Sequence, residues 1–397
     1  MFVQPQRVFF KRGCLMLALE DVMPRHRAFV VSDSSIDSTG LIEKLAVELG
    51  KRDIEYHVWI VPTGEPTLDQ VKKATGLAKD YESDMVIGFG GGSAMNGAKA
   101  VYSLLLNPEL DLSTLEAKSA PICPTSEKVS SKIPLVCIPT AAGSGSEVVP
   151  FAVVRKDDES FPTYLHHDSL MPSMAVEDPA FCTSLPPALR ALTSIDILCH
   201  GIDSCISSNA TEFSLPFSNM AVKNVFMYAR KHVEALDPVA EEKISNAAGL
   251  AGIAVANALL STTHAIALAL APIFGVHHGA ISAIVLPYVV KMKTIENPAV
   301  QKKIDEMAVF CGFKCRGCKS TPNCKCGPAR DCGCIVDSLI YEIRTLVKDL
   351  GLKDSLSSLI DGKITLDELK KIVFEKSAGW SEEKGLEGIM EVLEKAW

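Results

Sequence analysis

From Ile244 to Val290 the chain carries no Asp, Glu, Lys or Arg. A run this long without charge must be packed inside the protein or placed in a membrane. Asn246, Asn257, Ser261, Thr262, Thr263, His264, His277 and His278 interrupt it, leaving no clean apolar span of membrane length. The expectation is therefore a buried helical hairpin. Histidines in such a stretch need partners, because an unpaired buried polar group costs roughly 1–3 kcal/mol. Asp196 and His200, four residues apart, share one face of a predicted helix a turn from each other. Together with His264 and His278 they offer one carboxylate and three imidazoles, a donor set suited to iron(II) or zinc with room for a substrate oxygen. Taken singly, each histidine also reads as a hydrogen-bonded core residue.

A chain of 397 residues is long enough for two domains with large cores. Its net charge of −8 and pI near 5.7 argue against nucleic acid or an anionic membrane as partner. No basic-then-apolar secretory signal is visible, so a cytoplasmic location is expected. Of the 13 cysteines, Cys311, Cys315, Cys318, Cys324, Cys326, Cys332 and Cys334 crowd one segment. The rest are scattered, as reduced, packed thiols would be.

The first part of the chain alternates β-branched runs with helical periods. Strands are expected at 27–32, 56–61, 84–89 and 133–138, with helices at 68–81 and 94–105. That alternation implies an α/β domain with a mostly parallel sheet covered on both faces. From Ser184-Leu-Pro-Pro onward, with Ser184 as expected N-cap, long helical periods replace strand signals. The predicted division is an α/β domain over 1–183 and an all-helical domain over 184–397, the latter carrying the cysteine-rich loop at 311–334.

Gly90-Gly91-Gly92-Ser93 lies between a predicted strand and helix, where glycines admit a pyrophosphate and the helix N-terminus offers free N–H groups. The spacing is not G-x-G-x-x-G, and a plain tight turn explains it equally well. A second glycine-and-hydroxyl turn, Thr140 to Ser146, follows another strand, at the sheet end where open α/β folds bind ligands. Asp33, closing an early strand, is placed to accept from a ribose 2′-hydroxyl and to repel a 2′-phosphate, favouring NAD over NADP. The alternative for Asp33 is a solvated turn residue.

With these motifs the chain resembles the iron-containing (group III) alcohol dehydrogenases. The family's G-G-G-S-x-x-D-x-A-K appears as Gly90-Gly91-Gly92-Ser93-Ala94-Met95-Asn96-Gly97-Ala98-Lys99. Its P-T-x-x-G-T-G-S-E appears as Pro139-Thr140-Ala141-Ala142-Gly143-Ser144-Gly145-Ser146-Glu147. The resemblance implies a Rossmann-like domain followed by a helical metal-binding domain, the architecture of dehydroquinate synthases. Asp33, Gly90, Gly91, Gly92, Ser93, Asn96, Lys99, Thr140, Ala141, Ser144 and Ser146 would meet NAD. Asp196, His200, His264 and His278 would hold Fe2+, or Zn2+ or another divalent ion in its place. The implied activity is hydride transfer between NAD(H) and a small alcohol or aldehyde, mainly as an aldehyde reductase, in a dimer or larger homo-oligomer. A dehydroquinate synthase-like lyase and a non-catalytic metal or redox sensor are the alternatives on the same fold.

Three departures stand out. Asn96 occupies the usual place of Asp, Leu268 that of a frequent second His, and Thr163 that of a frequent Lys. With Leu268 there, His277 becomes the candidate for proton exchange, beside the cofactor's ribose hydroxyls or a water chain. The pairs Cys315/Cys318, Cys324/Cys326 and Cys332/Cys334 could clip a second, structural metal, or form a reduced or redox-active loop.

Overall fold

The computed structural model describes residues 2–397 apart from 38, 63, 116–132, 158–162, 236, 315–333, 361–363 and 377–382. The expected cysteine clip falls almost wholly on 315–333, outside the described residues. The described chain forms two compact units.

The first unit opens with β1 (Arg7–Phe10), α1 (Leu15–Asp21), β2 (Arg27–Asp33), α2 (Ser34–Asp37), α3 (Leu41–Gly50) and β3 (Glu55–Val61). It continues through α4 (Leu68–Asp80), β4 (Met85–Gly90), α5 (Gly92–Leu106), β5 (Leu135–Pro139), β6 (Phe151–Val154), β7 (Thr163–His166) and β8 (Met174–Glu177). Six strands form one parallel sheet in the order β1-β8-β5-β4-β2-β3, and β6 and β7 make a separate antiparallel pair. Side-chain alternation divides the sheet's packing between two cores. Ala28, Val30, Ile87 and Ile138 point to the face filled by Leu15, Leu41 and Leu45. Phe29, Val31, Val86 and Cys137 point to the face filled by Val71, Ala74, Met95 and Val101. Burial on both sides explains why β4 and β5 read as continuous apolar runs. Helix α4 starts at a capping box in which Thr67 and Gln70 satisfy each other's backbone N–H groups.

The strand order reverses between β2 and β4, which places the ends of those strands at the switch point of the sheet. In α5, Gly97 faces Val31, Val61 and Trp59, where an added Cβ would stand 3.1–3.3 Å from each; the missing side chain seats the helix on the sheet.

The second unit contains α6 (Pro187–Ile206), α7 (Leu215–Glu234), α9 (Thr262–Phe274), α10 (His278–Glu296) and α11 (Pro298–Phe310), with only the two ends of α8 (Pro238–Ala258). It ends with α12 (Cys334–Asp349), α13 (Leu366–Lys376) and α14 (Glu383–Ala396), and no strand occurs among its described residues. Helix α10 is central, contacting α6, α9, α11, α12 and α14. Its Ile281, Val285 and Val289 join Ile266 and Leu270 of α9 and Leu369, Val373, Val392 and Leu393 in one core.

Three sequence expectations change here. The division falls at Leu185/Pro186, and most of α8, Glu241–Ala256, belongs to the first unit instead of the helical one. The cause is close backbone packing: Gly252 lies against Gly145, and a Cβ on Gly249 would come within 2.8 Å of Glu177 Oε1. Ser184 is not the cap of α6; it closes a short 3-10 turn, and Pro186 is the N-cap with Pro187 as the first helical residue. A residue before proline avoids the helical region, so Leu185 and Pro186 stay extended. The charge-free run is not one hairpin but parts of α8 and α10 with all of α9, and Gly275 turns between the last two at φ +64°. No single helix among the described residues is long and apolar enough to cross a membrane.

Candidate active site

Helix α6 carries two of the four expected metal donors. Asp196 and His200 project from its buried face, 3% and 6% exposed. His264 sits in the first turn of α9, 3% exposed, and His278 opens α10. The start of α10 packs tightly on α6 because residue 279 is glycine; a Cβ there would lie 2.8 Å from the Leu192 carbonyl.

Asp196 Oδ1 is 3.1 Å from His278 Nε2 and 3.2 Å from His264 Nε2. The His200 and His264 rings stack at 4.4 Å, and ligand atoms from Asp196, His200 and His264 lie within 4.8 Å of one another. Donors bound at about 2.0–2.2 Å around a tetrahedral ion stand roughly 3.3–3.5 Å apart, so this cluster has the spacing of a divalent metal site. His200 Nδ1, His264 Nδ1 and His264 Nε2 have no hydrogen-bond partner within the protein. A divalent cation would satisfy one such buried nitrogen on each ring. Burial pushes the Asp196 carboxyl up, but the adjoining His278, His200 and His264 imidazoles outweigh it and hold it well below the usual range. Burial lowers His200 to about 4, keeping its imidazole neutral.

Behind His264 stands Asp203, fully enclosed. Its Oδ2 accepts from the His264 backbone N–H at 3.0 Å and the Ser261 N–H at 3.3 Å, and lies 3.8 Å from His264 Nδ1. Sequence reading missed this residue. Its signal was present: Asp203 follows His200 by three and Asp196 by seven, on the same helical face.

His277, the candidate for proton exchange, uses Nδ1 to accept the Gly279 N–H at 3.0 Å and so caps α10. Its ring stacks on His278 at 4.4 Å. Nε2 is the nitrogen left for proton exchange.

The dinucleotide-type residues divide into two sets. In the first, Asp33 Oδ2 accepts the Gly91 N–H at 2.8 Å, and the Thr140 N–H donates to the Gly90 carbonyl at 3.0 Å, tying both glycine turns to the end of β2. Gly90 is at φ +155°, and a Cβ there would fall 2.4 Å from Asp33 Oδ2. Gly91, Gly92, Ser93 and Ala141 are half-buried around this junction and Ser144 is exposed. The second set is buried. Lys99 donates to Ser146 Oγ at 3.1 Å, the Val149 carbonyl at 2.9 Å and the Phe151 carbonyl at 2.6 Å. Three donors on three acceptors use up its ammonium, so Lys99 shapes the second glycine turn from behind. Burial lowers its pKa to about 8. Ser146 Oγ in turn reaches Asn96 Oδ1 at 3.4 Å.

Two family models match successive parts of the chain. The model described as iron-containing alcohol dehydrogenase matches residues 5–179, and that for the C-terminal part of the Fe-containing alcohol dehydrogenase family matches residues 190–382. The chain belongs to the iron-containing alcohol dehydrogenase family. It is 29% identical over 371 residues to the bifunctional aldehyde-alcohol dehydrogenase AdhE of Escherichia coli K12, covering 89% of this chain but only 40% of that protein's length. It is 30% identical over 336 residues to the 1-propanol dehydrogenase PduQ of Citrobacter freundii, covering 84% of this chain and 82% of that protein. In fold it is similar to the iron-containing alcohol dehydrogenase of Thermococcus thioreducens, with a TM-score of 0.84 at 23% identity over 100% of this chain and 99% of the other. In this iron-containing alcohol dehydrogenase chain, Asp196 and His200 of α6 meet His264 and His278 from the starts of α9 and α10.

Proposed function

We propose that the chain is a metal-dependent oxidoreductase transferring a hydride between NAD(H) and a small, uncharged alcohol or aldehyde, working mainly as an aldehyde reductase. The observation that carries this reading is Asp196 Oδ1 set 3.1 and 3.2 Å from the Nε2 atoms of His278 and His264, two histidines of the charge-free run. Asp196, His200, His264 and His278 would hold Fe2+, or Zn2+ where iron is scarce, supplying Lewis acidity toward an alcohol or carbonyl oxygen. The donors themselves do the positioning: α6 fixes two on one face, and the starts of α9 and α10 bring the others to them. His277 would exchange the proton through Nε2. Leu268, one turn beyond His264 on α9, offers no titratable group and gives that surface an apolar character. The absence of charge from Ile244 to Val290 supports an uncharged substrate.

For the cofactor, Asp33 places a carboxylate at the end of β2 beside the Gly90–Ser93 turn, which supports NAD over NADP. The cysteine-rich segment 311–334 is proposed to clip a second, structural metal. Homo-oligomerisation and a cytoplasmic location are further proposals. They rest on the family and on composition.

The test is anaerobic NADH oxidation with short aldehydes, on protein stripped of metal and reloaded with iron(II) or zinc. Turnover that returns with metal and is lost in His264→Ala supports the reading. No turnover with any aldehyde, despite bound metal and NADH, overturns it. Metal analysis of the same protein decides the second site: one ion per chain rejects the cysteine clip.

A further inference from the structure

We infer that Asp203 is a positioning residue that sets the tautomer of His264. This inference rests on the metal reading above and adds a residue to it. Asp203 lies wholly inside the helical unit, on the face of α6 that carries Asp196 and His200. Its carboxylate meets the start of α9, where Ser261 supplies no side-chain cap. Oδ2 takes two N–H groups of that first turn, from Ser261 and His264, and this fixes the carboxylate against the helix end.

The same oxygen faces one edge of the His264 ring while Asp196 faces the other. Nδ1 is 3.8 Å from Asp203 Oδ2 and Nε2 is 3.2 Å from Asp196 Oδ1. A neutral imidazole carries one proton. With an acceptor-only carboxylate behind it, that proton belongs on Nδ1, leaving the Nε2 lone pair toward Asp196, His200 and His278. A carboxylate behind a ligating histidine orients the ring and makes the ligand more basic. The 3.8 Å gap exceeds hydrogen-bond length, and the inference requires it to close when Nε2 is engaged. Asp203 Oδ1 has no hydrogen-bond partner and is free to share in it.

Asp203→Asn tests the idea sharply. The amide oxygen can keep the two backbone N–H groups in the place of Oδ2, which puts the amide NH2 in the place of the unpartnered Oδ1 and removes the negative charge. Losing the charge and one acceptor weakens the hold on an Nδ1 proton and makes Nε2 a less basic ligand. Metal-stripped wild type, Asp203→Asn and Asp203→Glu are titrated with cobalt(II), reading visible absorption bands and affinity against a chromophoric chelator. The expected result is affinity weakened about 10- to 100-fold in Asp203→Asn, with an altered cobalt spectrum and partial recovery in Asp203→Glu. Equal affinity and identical spectra in wild type and Asp203→Asn would overturn the inference. If wild type itself binds no metal, the metal reading fails first, and the two failures are told apart. Should Asp203→Asn not fold, imidazole 15N NMR of zinc-loaded wild type decides: the His264 proton on Nδ1 supports the assignment, and zinc on Nδ1 overturns it.

Discussion

The side-chain amide of Asn96 donates to a Glu65 carboxylate oxygen at 2.9 Å, linking α5 to the loop before α4. Asn96 is buried and Glu65 half-buried, so this neutral–charged pair is partly shielded from water. An aspartate at 96 would set two carboxylates against each other.

That pairing is testable by a double-mutant cycle. Asn96→Asp should destabilise the protein by about 1–3 kcal/mol at neutral pH, from the lost bond and the like-charge contact. Asn96→Asp combined with Glu65→Gln restores a donor and an acceptor, and should recover at least about 1 kcal/mol of it. Urea unfolding of the four proteins gives the coupling; additive effects would reject it.

Asp33 offers a direct test of cofactor choice. Asp33→Asn keeps an oxygen for the Gly91 N–H while removing the charge. The ratio of NADP to NAD affinity should rise by about tenfold, or roughly 1.4 kcal/mol of relieved repulsion. An unchanged ratio, measured by titration with both reduced cofactors, sinks the argument for NAD.

Gly145 is at φ +63°, and a Cβ there would sit 2.7 Å from Gly252 Cα and 3.0 Å from the Ala248 carbonyl. Neither neighbour is a flexible side chain. Gly145→Ala should therefore cost about 1–3 kcal/mol. Gly76→Ala, within α4 with nothing near the added methyl, should stabilise by about 0.5–1 kcal/mol. Losses of equal size in both would mean that the close approach of Gly145 to α8 has no bearing on stability.

Glu177 supplies the pH prediction. Burial, then the neighbouring Glu147 carboxyl, hold its pKa well above 4.5. The folded protein binds this proton more tightly than the unfolded chain does. Its contribution is complete below the ordinary carboxyl value and is lost as pH rises through the raised folded one. Melting temperature should fall toward alkaline pH in wild type and fall less in Glu177→Gln. Parallel curves from about pH 5 to pH 9 would show that Glu177 is ionised throughout.

Much of this protein was legible in local pattern. Parallel strands buried on both faces leave unbroken apolar runs, so the region around Met85–Gly90 and Leu135–Pro139 could be read directly. Asp196 and His200 could be paired because helical geometry alone puts residues four apart on one face. What tertiary structure decided involves residues distant in sequence. Nothing near Glu241 announces that α8 packs with the sheet, since that depends on Gly249 and Gly252 meeting Glu177 and Gly145. Lys99 belongs to a glycine-rich motif, yet its ammonium is consumed by Ser146 and two carbonyls beyond it. Asp203 looked like one more acidic residue on α6 until α9 was seen to begin against it. Helical spacing and sheet alternation are properties of a segment, whereas a shielded carboxylate takes its meaning from whichever backbone N–H groups the fold brings to it.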